Sequence, residues 1–564
     1  MKRGSHASRR RVRHGASRPW LALLAGVLAL VSPGCRTLPD EPAREASVAW
    51  AQPADSPLGR SFAPWMQGPA SRAGVHLLPH GDESFGLRAA SAEQARHTLD
   101  LQYYIVADDA AATLLLARAL RAADRGVRVR LLVDDVGTAD ADHLLESLDA
   151  HALIEVRLYN PFSQRRAGWF ARALEYLGHS DRLGQRMHHK LWVVDNAVAI
   201  VGGRNLGDAY FAFDRERQFA DLDALIVGPL VRPLSQGFDG YWNSDAARSL
   251  RRDRSPQAEA QGLSRARSVL QQRERQFRES AYAQALRAAG LGSALHEGRI
   301  DLVAARGAVV DGRPPLPEPA VVAGAGDPAD AGAGGPAARV VADANGARGE
   351  GGAAPQPGPL IELLRSVVAV TRRELLLVSP YFVPGDRGVE AICALQARGV
   401  RVRVLTNSLA STDVPVVHAG YARKRPALLA CGVELFELKP GPKGERRGLS
   451  SGASLHAKAV VADRQVAILG SMNLDPRSRR VNTEIALRLD SAELGAQLGA
   501  LFDEAVRPES VYRPVLEADG DEPRLHWLST DDGRPVRHRH EPAASLWRHL
   551  ASDLLGILAP EEML

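Results

Sequence analysis

The chain has 564 residues, 45% of them apolar, which is ample for two hydrophobic cores. Its formal net charge of +5 is modest for that length, and much of the excess lies in the first eighteen residues, so composition carries no nucleic-acid signature. The three cysteines form no Cys/His metal spacing.

In chain order, residues 1–35 read as an export leader. Lys2, Arg3, Arg9, Arg10, Arg11, Arg13 and Arg18 precede an apolar run from Trp20 to Val31 that is short for a bilayer span. The run ends at Ser-Pro-Gly-Cys35, which resembles a lipoprotein cleavage site with Cys35 as the lipid anchor; Ser32 stands where a Leu is usual. An uncleaved signal anchor is the alternative, and both place the chain at a membrane of the cell envelope. Residues 36–74, rich in Pro, Ala and Ser at their start, read as a tether.

A first domain is expected over 75–305. LDLQYYIV from Leu99 predicts a strand, ATLLLARALRAADRG a helix closed by Gly126, and VRVRLLVDD a parallel strand, which is a β-α-β unit. From Phe162 to Arg186, apolar and basic residues mix (Arg165, Arg166, Trp169, Phe170, Arg172, Leu174, Tyr176, Leu177). Two readings stand: an amphipathic lip facing a membrane, or a surface helix packed on the domain. The text from Gly262 to Arg299 predicts a connecting helix pair, and the Gly/Ala/Pro-rich residues 306–358 a linker. A second domain over 359–564 repeats the order: ELLLVSPYFVP, VEAICALQARG, VRVRVLTNS. RGVRVRVLTNS from Arg398 echoes RGVRVRLLVDD from Arg125, which points to duplication of a whole domain. The chain closes on an amphipathic pattern with Leu546, Leu550, Leu554, Leu555 and Leu558 on one side.

The duplication is sharpest in one stretch. HHKLWVVDNAVAIVGGRN, His188 to Asn205, recurs as LHAKAVVADRQVAILGSMN, Leu455 to Asn473. His456, Lys458, Asp463, Gly470, Ser471 and Asn473 repeat the offsets of His188, Lys190, Asp195, Gly202, Gly203 and Asn205. Each copy predicts a β-hairpin that turns at Asp-Asn or Asp-Arg. Residues two apart on a strand share a face, so each His projects with its Lys. Small residues and an Asn end the returning strand, where backbone N–H groups can approach an anion. Two facing copies make a pocket of two imidazoles and two ammonium groups, suited to a phosphate diester.

Paired H-x-K-x-x-x-x-D motifs, each followed by G-[GS]-x-N, resemble the phospholipase D superfamily. GGRNLGDAYF, SPYFVPGDRGV, NSLASTDVPVVHAGY and NLDPRSRRVNTEIAL are similar to its bacterial cardiolipin synthase branch, C-type. The resemblance implies an α/β fold of two tandem αβα-sandwich domains related by a pseudo-twofold, with the active site at their interface. It implies His188 as nucleophile and His456 as general acid and base, in a phosphatidyl transfer through a covalent phosphatidyl-histidine. Lys190, Lys458, Gly203, Asn205, Ser471 and Asn473 would stabilise the phosphate, and Asp195 and Asp463, part of the catalytic motif, would hold the hairpins. Alignment of the two halves sets Asp221 opposite Glu484, and the resemblance gives these carboxylates the role of orienting the histidines. Asp223 reads as an ordinary strand-end carboxylate, and the resemblance implies that Asp413, His418 and Tyr421 line an acceptor pocket, with a structural histidine the other reading of His418.

The expected partners are phospholipid substrates and a membrane surface, with no nucleic acid, no cofactor and no metal. The expected reaction moves a phosphatidyl group from phosphatidylglycerol or phosphatidylethanolamine to phosphatidylglycerol. The alternatives are hydrolysis to phosphatidic acid and a non-catalytic phosphate-binding envelope lipoprotein. For Cys393 and Cys431, a bridge and two buried thiols both remain open.

Overall fold

The computed structural model describes residues 44–69, 72–163, 165, 169–214, 218–250, 255–312, 341–342, 358–440, 454–519, 522–545, 547–550 and 552. The leader with Cys35, most of the linker, and Leu546, Leu554, Leu555 and Leu558 lie outside these residues.

The first domain contributes strands β1 (Ala73–Leu78), β2 (Thr98–Ile105), β3 (Arg128–Gly137), β4 (Ile154–Tyr159), β5 (Lys190–Val194), β6 (Val198–Gly202), β7 (Phe219–Ala220), β8 (Asp223–Val227), β9 (Ala247–Ser249) and β10 (Val303–Asp311). Their spatial order is β9-β4-β3-β2-β5-β6-β8-β1-β10, parallel among β2, β3 and β4 and antiparallel elsewhere; the short β7 stands outside this sheet. Beyond the two-residue β11 (Val341–Ala342), the second domain adds β12 (Glu374–Val378), β13 (Arg401–Asn407), β14 (Glu434–Leu438), β15 (Ser454–Leu455), β16 (Ala459–Ala462), β17 (Val466–Gly470), β18 (Ile485–Asp490) and β19 (Val511–Asp519). Their order, β18-β17-β16-β12-β13-β14-β19, mirrors the first sheet.

The central strands are apolar on both faces because both faces are covered. On β5, Trp192 and Val194 enter one core under the helices Gly81–Gln94 and Ala110–Asp124, while Leu191 and Val193 enter another. On β16, Val460 and Ala462 face a third core under the second domain's helices, and Ala459 and Val461 join Leu191 and Val193 in the middle one. That middle layer also takes Phe238 and Trp242 from one domain and Leu498 and Phe502 from the other. The halves therefore share a hydrophobic core.

Strand β10 joins them through the backbone. Its first residues pair with β1 (Ala305 with Ala73), and the rest pair with β18, from Arg306 opposite Asp490 to Asp311 opposite Ile485. This corrects the expected boundary at 306: residues 306–311 are not linker but the strand that carries one sheet into the next. The expected tether is corrected too. Leu58 and Phe62 are buried in the first core, Trp50 stacks on His97 at 4.1 Å, and the Ala49 N–H donates to Asp239 Oδ2 at 2.9 Å. A segment that opens with Pro, Ala and Ser still docks when its few large apolar side chains find a surface. The expected helix pair after Gly262 is three helices, Pro256–Glu279, Ala281–Ala289 and Leu291–His296. Cys393 and Cys431 form a disulfide, with Cα atoms 5.5 Å apart.

A shared core predicts a shared unfolding transition. Leu487→Ala, a truncation in the middle layer, is expected to cost about 2–5 kcal/mol. In a denaturant titration followed by tryptophan fluorescence and far-UV dichroism, both signals should shift together, in one transition.

Candidate active site

Each motif is a tight hairpin. Asp195 and Asn196 take φ of 50° and 51°, and Asp463 and Arg464 take 51° and 55°, left-handed conformations that a two-residue hairpin turn needs. The two Asp side chains hold these turns in place. Asp195 accepts from the backbone N–H groups of Arg96, His97 and Thr98, and Asp463 from those of Arg372, Arg373 and Glu374. They sit at the far end of their hairpins from the histidines, where they fix the turns.

The histidines are held across the domain boundary. The His188 backbone N–H donates to Thr483 O at 2.9 Å, and the His456 N–H to Ala220 O at 2.7 Å. Short β7 and β15 pair in parallel beside the second contact. These exchanges bring each imidazole to the other half's carboxylate. His188 Nδ1–H donates to Glu484 Oε2 at 2.9 Å, and His456 Nδ1–H to Asp221 Oδ2 at 2.6 Å. With Nδ1 engaged, Nε2 of each ring is left for chemistry. Lys190 Nζ donates to His188 O at 2.6 Å, and Lys458 Nζ donates to His456 O. All four side chains are buried.

Burial, then the charges of Lys190, Lys458 and His456, hold the His188 imidazolium well below its usual range. His456 is also depressed by burial and Lys458, but Asp221 pulls the other way. Burial depresses both lysines. Burial pushes Asp221 up, but His456 and Lys458 outweigh it, so this carboxyl stays below the usual range. Glu484 is pushed up to about 7 by burial, against Lys190 and the hydroxyls of Ser471 and Ser478. The two imidazoles therefore have unequal partners: the carboxylate beside His456 stays charged, and the one beside His188 is pushed toward neutrality.

Several expected phosphate contacts are used within the protein. Ser471 Oγ donates to Glu484 Oε2 at 2.5 Å, so its hydroxyl positions the carboxylate rather than facing the histidines. Gly203 is what the opposite carboxylate requires: a Cβ there would lie 2.0 Å from Asp221 Oδ1. Asn205 accepts from the Ile105 N–H and donates to Tyr210 Oη at 2.9 Å. Asn473 differs, with its buried Oδ1 unpartnered among the described residues. Asp223 is a core anion, paired with Arg88 at 3.0 Å.

His418 and Tyr421 are engaged within the protein. His418 Nε2 lies 3.0 Å from Glu541, and Tyr421 Oη donates to Glu437, in a buried network with Arg425 and Trp527. Asp413 accepts from Tyr381 Oη at 2.9 Å, and its charge reaches Lys458. Sequence reasoning missed the rings that wall the site. Tyr104 stands edge-on to His188 at 4.9 Å, and Tyr210 and Phe219 lie 5.3 and 5.1 Å from His456. Strand alternation carried a signal for Tyr104, since Leu99, Leu101 and Tyr103 take the core face and leave it on the other.

The Phe162–Arg186 stretch divides. Phe162 and Arg165 are buried, with Arg165 Nε 2.6 Å from Asp135, whereas the helix Trp169–Gly178 exposes Phe170 (67%), Leu174 and Leu177 (79%).

The family model described as cardiolipin synthase, phospholipase D-like domain, matches residues 90–242 and 364–506. Cardiolipin synthase C of Escherichia coli K12 is 34% identical over 87% of this chain and 96% of its own length. An uncharacterised Helicobacter pylori protein is 26% identical over 91% of this chain and 93% of its own. In fold, the chain is similar to the crystal structure of phosphatidylserine synthase from Haemophilus influenzae Rd KW20, with a TM-score of 0.51 at 12% identity over 89% of this chain and 96% of that one.

The carboxylate pairing predicts a pH dependence. Below about 7, Glu484 holds its own proton and cannot accept the Nδ1–H of His188; above it, the carboxylate fixes the tautomer that leaves Nε2 unprotonated. Turnover should therefore rise as pH climbs through about 7, and Glu484→Gln should remove that limb and lower kcat by on the order of 10²–10⁴-fold. A pH–rate profile of both proteins is the check.

With its paired motifs facing each other across a shared core, the chain belongs to the phospholipase D superfamily, in its cardiolipin synthase branch.

Proposed function

We propose that this chain is a phosphatidyltransferase that makes cardiolipin, taking a phosphatidyl group from phosphatidylglycerol or phosphatidylethanolamine and giving it to phosphatidylglycerol. The reading is carried by two buried imidazoles, each with Nδ1 held by the opposite half's carboxylate and each beside a buried lysine. The likeness to cardiolipin synthase C over nearly the whole length of both chains supports the same lipid chemistry.

His188 Nε2 attacks phosphorus as the P–O bond to the donor headgroup breaks, and His456 gives its Nε2 proton to the leaving alkoxide. The acceptor hydroxyl then attacks the phosphatidyl-histidine, returns a proton to His456 and displaces His188 Nε2. Lys190 and Lys458 stabilise charge on the non-bridging oxygens in a dry site, where fixed charges act strongly. The charged Asp221 at His456 Nδ1 favours His456 as acid and base, which leaves His188 as nucleophile. No step calls for a metal, and EDTA should leave turnover intact.

The test is a headgroup balance on the full chain in mixed micelles. Labelled phosphatidylglycerol, with and without phosphatidylethanolamine, should yield cardiolipin together with free glycerol or ethanolamine. Phosphatidic acid alone makes water the acceptor and the protein a phospholipase, and no turnover at all leaves a phosphate-binding protein. A donor with a nitrophenol leaving group, which needs no acid, separates the histidines. His456→Ala should release a burst of nitrophenolate and carry lipid on His188, and His188→Ala should give neither.

Membrane attachment belongs to the same proposal. Cys35 would anchor the chain in the cell envelope, and Phe170, Leu174 and Leu177 would dip into the interface beside the site. Replacing Phe170 and Leu177 with Asp should weaken flotation of a leaderless chain with phosphatidylglycerol vesicles, by about 1.5–3 kcal/mol per side chain lost from the interface.

A further inference from the structure

We propose that Arg477 forms a second anion subsite, taking the phosphodiester of the acceptor phospholipid beside the site that takes the donor's. The inference rests on the reading above. Its starting point is a break in the internal symmetry. In the repeat that sets Asn205 against Asn473, Tyr210 falls on Ser478 and Ala209 falls on Arg477. One half thus has a guanidinium where the other has a methyl group.

Arg477 sits on the short helix Pro476–Arg480, next to a residue that touches the machinery. Ser478 Oγ donates to Glu484 Oε1 at 2.7 Å, and Glu484 holds His188. The charge of Arg477 is felt by Tyr104, whose ring borders His188, and by Asp475. Its neighbour Arg479 donates to the backbone carbonyls of Asp475, Pro384 and Val383, a structural use of the same side chain. Arg477 makes no side-chain hydrogen bond or ion pair among the described residues, and it is only half-buried, so its donors are open to a ligand. Asp475 does not cancel it: burial pushes that carboxyl up to about 7, and its oxygen caps the Ser478 N–H at 2.7 Å.

The chemistry calls for such a group. Water, or a simple alcohol, needs only the phosphate pocket between the histidines. Phosphatidylglycerol brings its hydroxyl at the end of a glycerol whose other end carries a second phosphodiester anion. That anion must come close to the first, and the two repel in a site of low dielectric. A planar guanidinium on the helix whose Ser478 holds Glu484 offsets the repulsion and fixes the acceptor's direction through paired N–H donors.

The test uses the full chain in mixed micelles with phosphatidylethanolamine as donor and two competing acceptors, phosphatidylglycerol and free glycerol. The readout is the ratio of cardiolipin to the glycerol product. Arg477→Ala should lower that ratio by about tenfold or more and raise KM for phosphatidylglycerol more than KM for the donor. Arg477→Lys, which keeps the charge without the fork, should fall between. Arg477→Gln, which keeps length and hydrogen bonding, should resemble Ala and serves if Ala disturbs the fold. A ratio unchanged in both uncharged variants, with the two products falling together or not at all, would overturn the proposal. Wild-type protein that yields no cardiolipin fails earlier, at the reading of function, and takes this subsite with it.

Discussion

Everything in this molecule depends on a reciprocal exchange: each domain supplies a histidine and orients the other's. The imidazole of His188 is set by Glu484, and that of His456 by Asp221, so neither half holds a complete site. A hydrogen bond to a buried carboxylate is directional and charge-assisted, and it fixes both tautomer and ring angle. The backbone bonds at Thr483 and Ala220 set the register that makes the exchange possible. Shared apolar packing in the middle layer then removes the freedom of the halves to drift apart.

The exchange also explains the electrostatics. Two lysines and two histidines gathered out of water would repel each other, and burial weighs against every charge. Two carboxylates of opposite sign lower that cost, but unequally. Asp221 is closer to its histidine and stays ionised, whereas burial pushes Glu484 toward neutrality despite two hydroxyls and Lys190 that favour its charge. A near-symmetric scaffold thus produces two imidazoles in different settings, and the proposed two-step displacement asks for that: one to be a nucleophile, the other to carry a proton.

Much of this was legible in the chain. Local alternation marked the hairpins and the β-α-β units, and the repeated offsets of His, Lys, Asp, Gly and Asn exposed the duplication. Less legible was whatever depends on the other half. Alignment of the halves set Asp221 opposite Glu484 and the family resemblance gave them their role, but neither named the crossing of their partners, because a contact between distant residues leaves no local period. Ser471 looked like a phosphate ligand because its offset matched; only geometry turns its hydroxyl onto Glu484. The family resemblance set His418 and Tyr421 at an acceptor pocket, yet Glu541 engages the imidazole and Glu437 the phenol. Composition hid the docking of Trp50, Leu58 and Phe62, since a few large side chains decide burial inside a polar and small-residue stretch.

Strand β10 has an evolutionary meaning beyond its place in the sheets. A single-copy ancestor of such a fold would assemble as a twofold homodimer, and any change to one site would appear at both. A strand that belongs to two sheets makes the partner intramolecular, so a half always meets the other half and never its own copy. Divergence then costs nothing in mispairing. Gly203 against Ser471, Asp221 against Glu484 and Ala209 against Arg477 are differences that only a heterodimer written in one chain can keep.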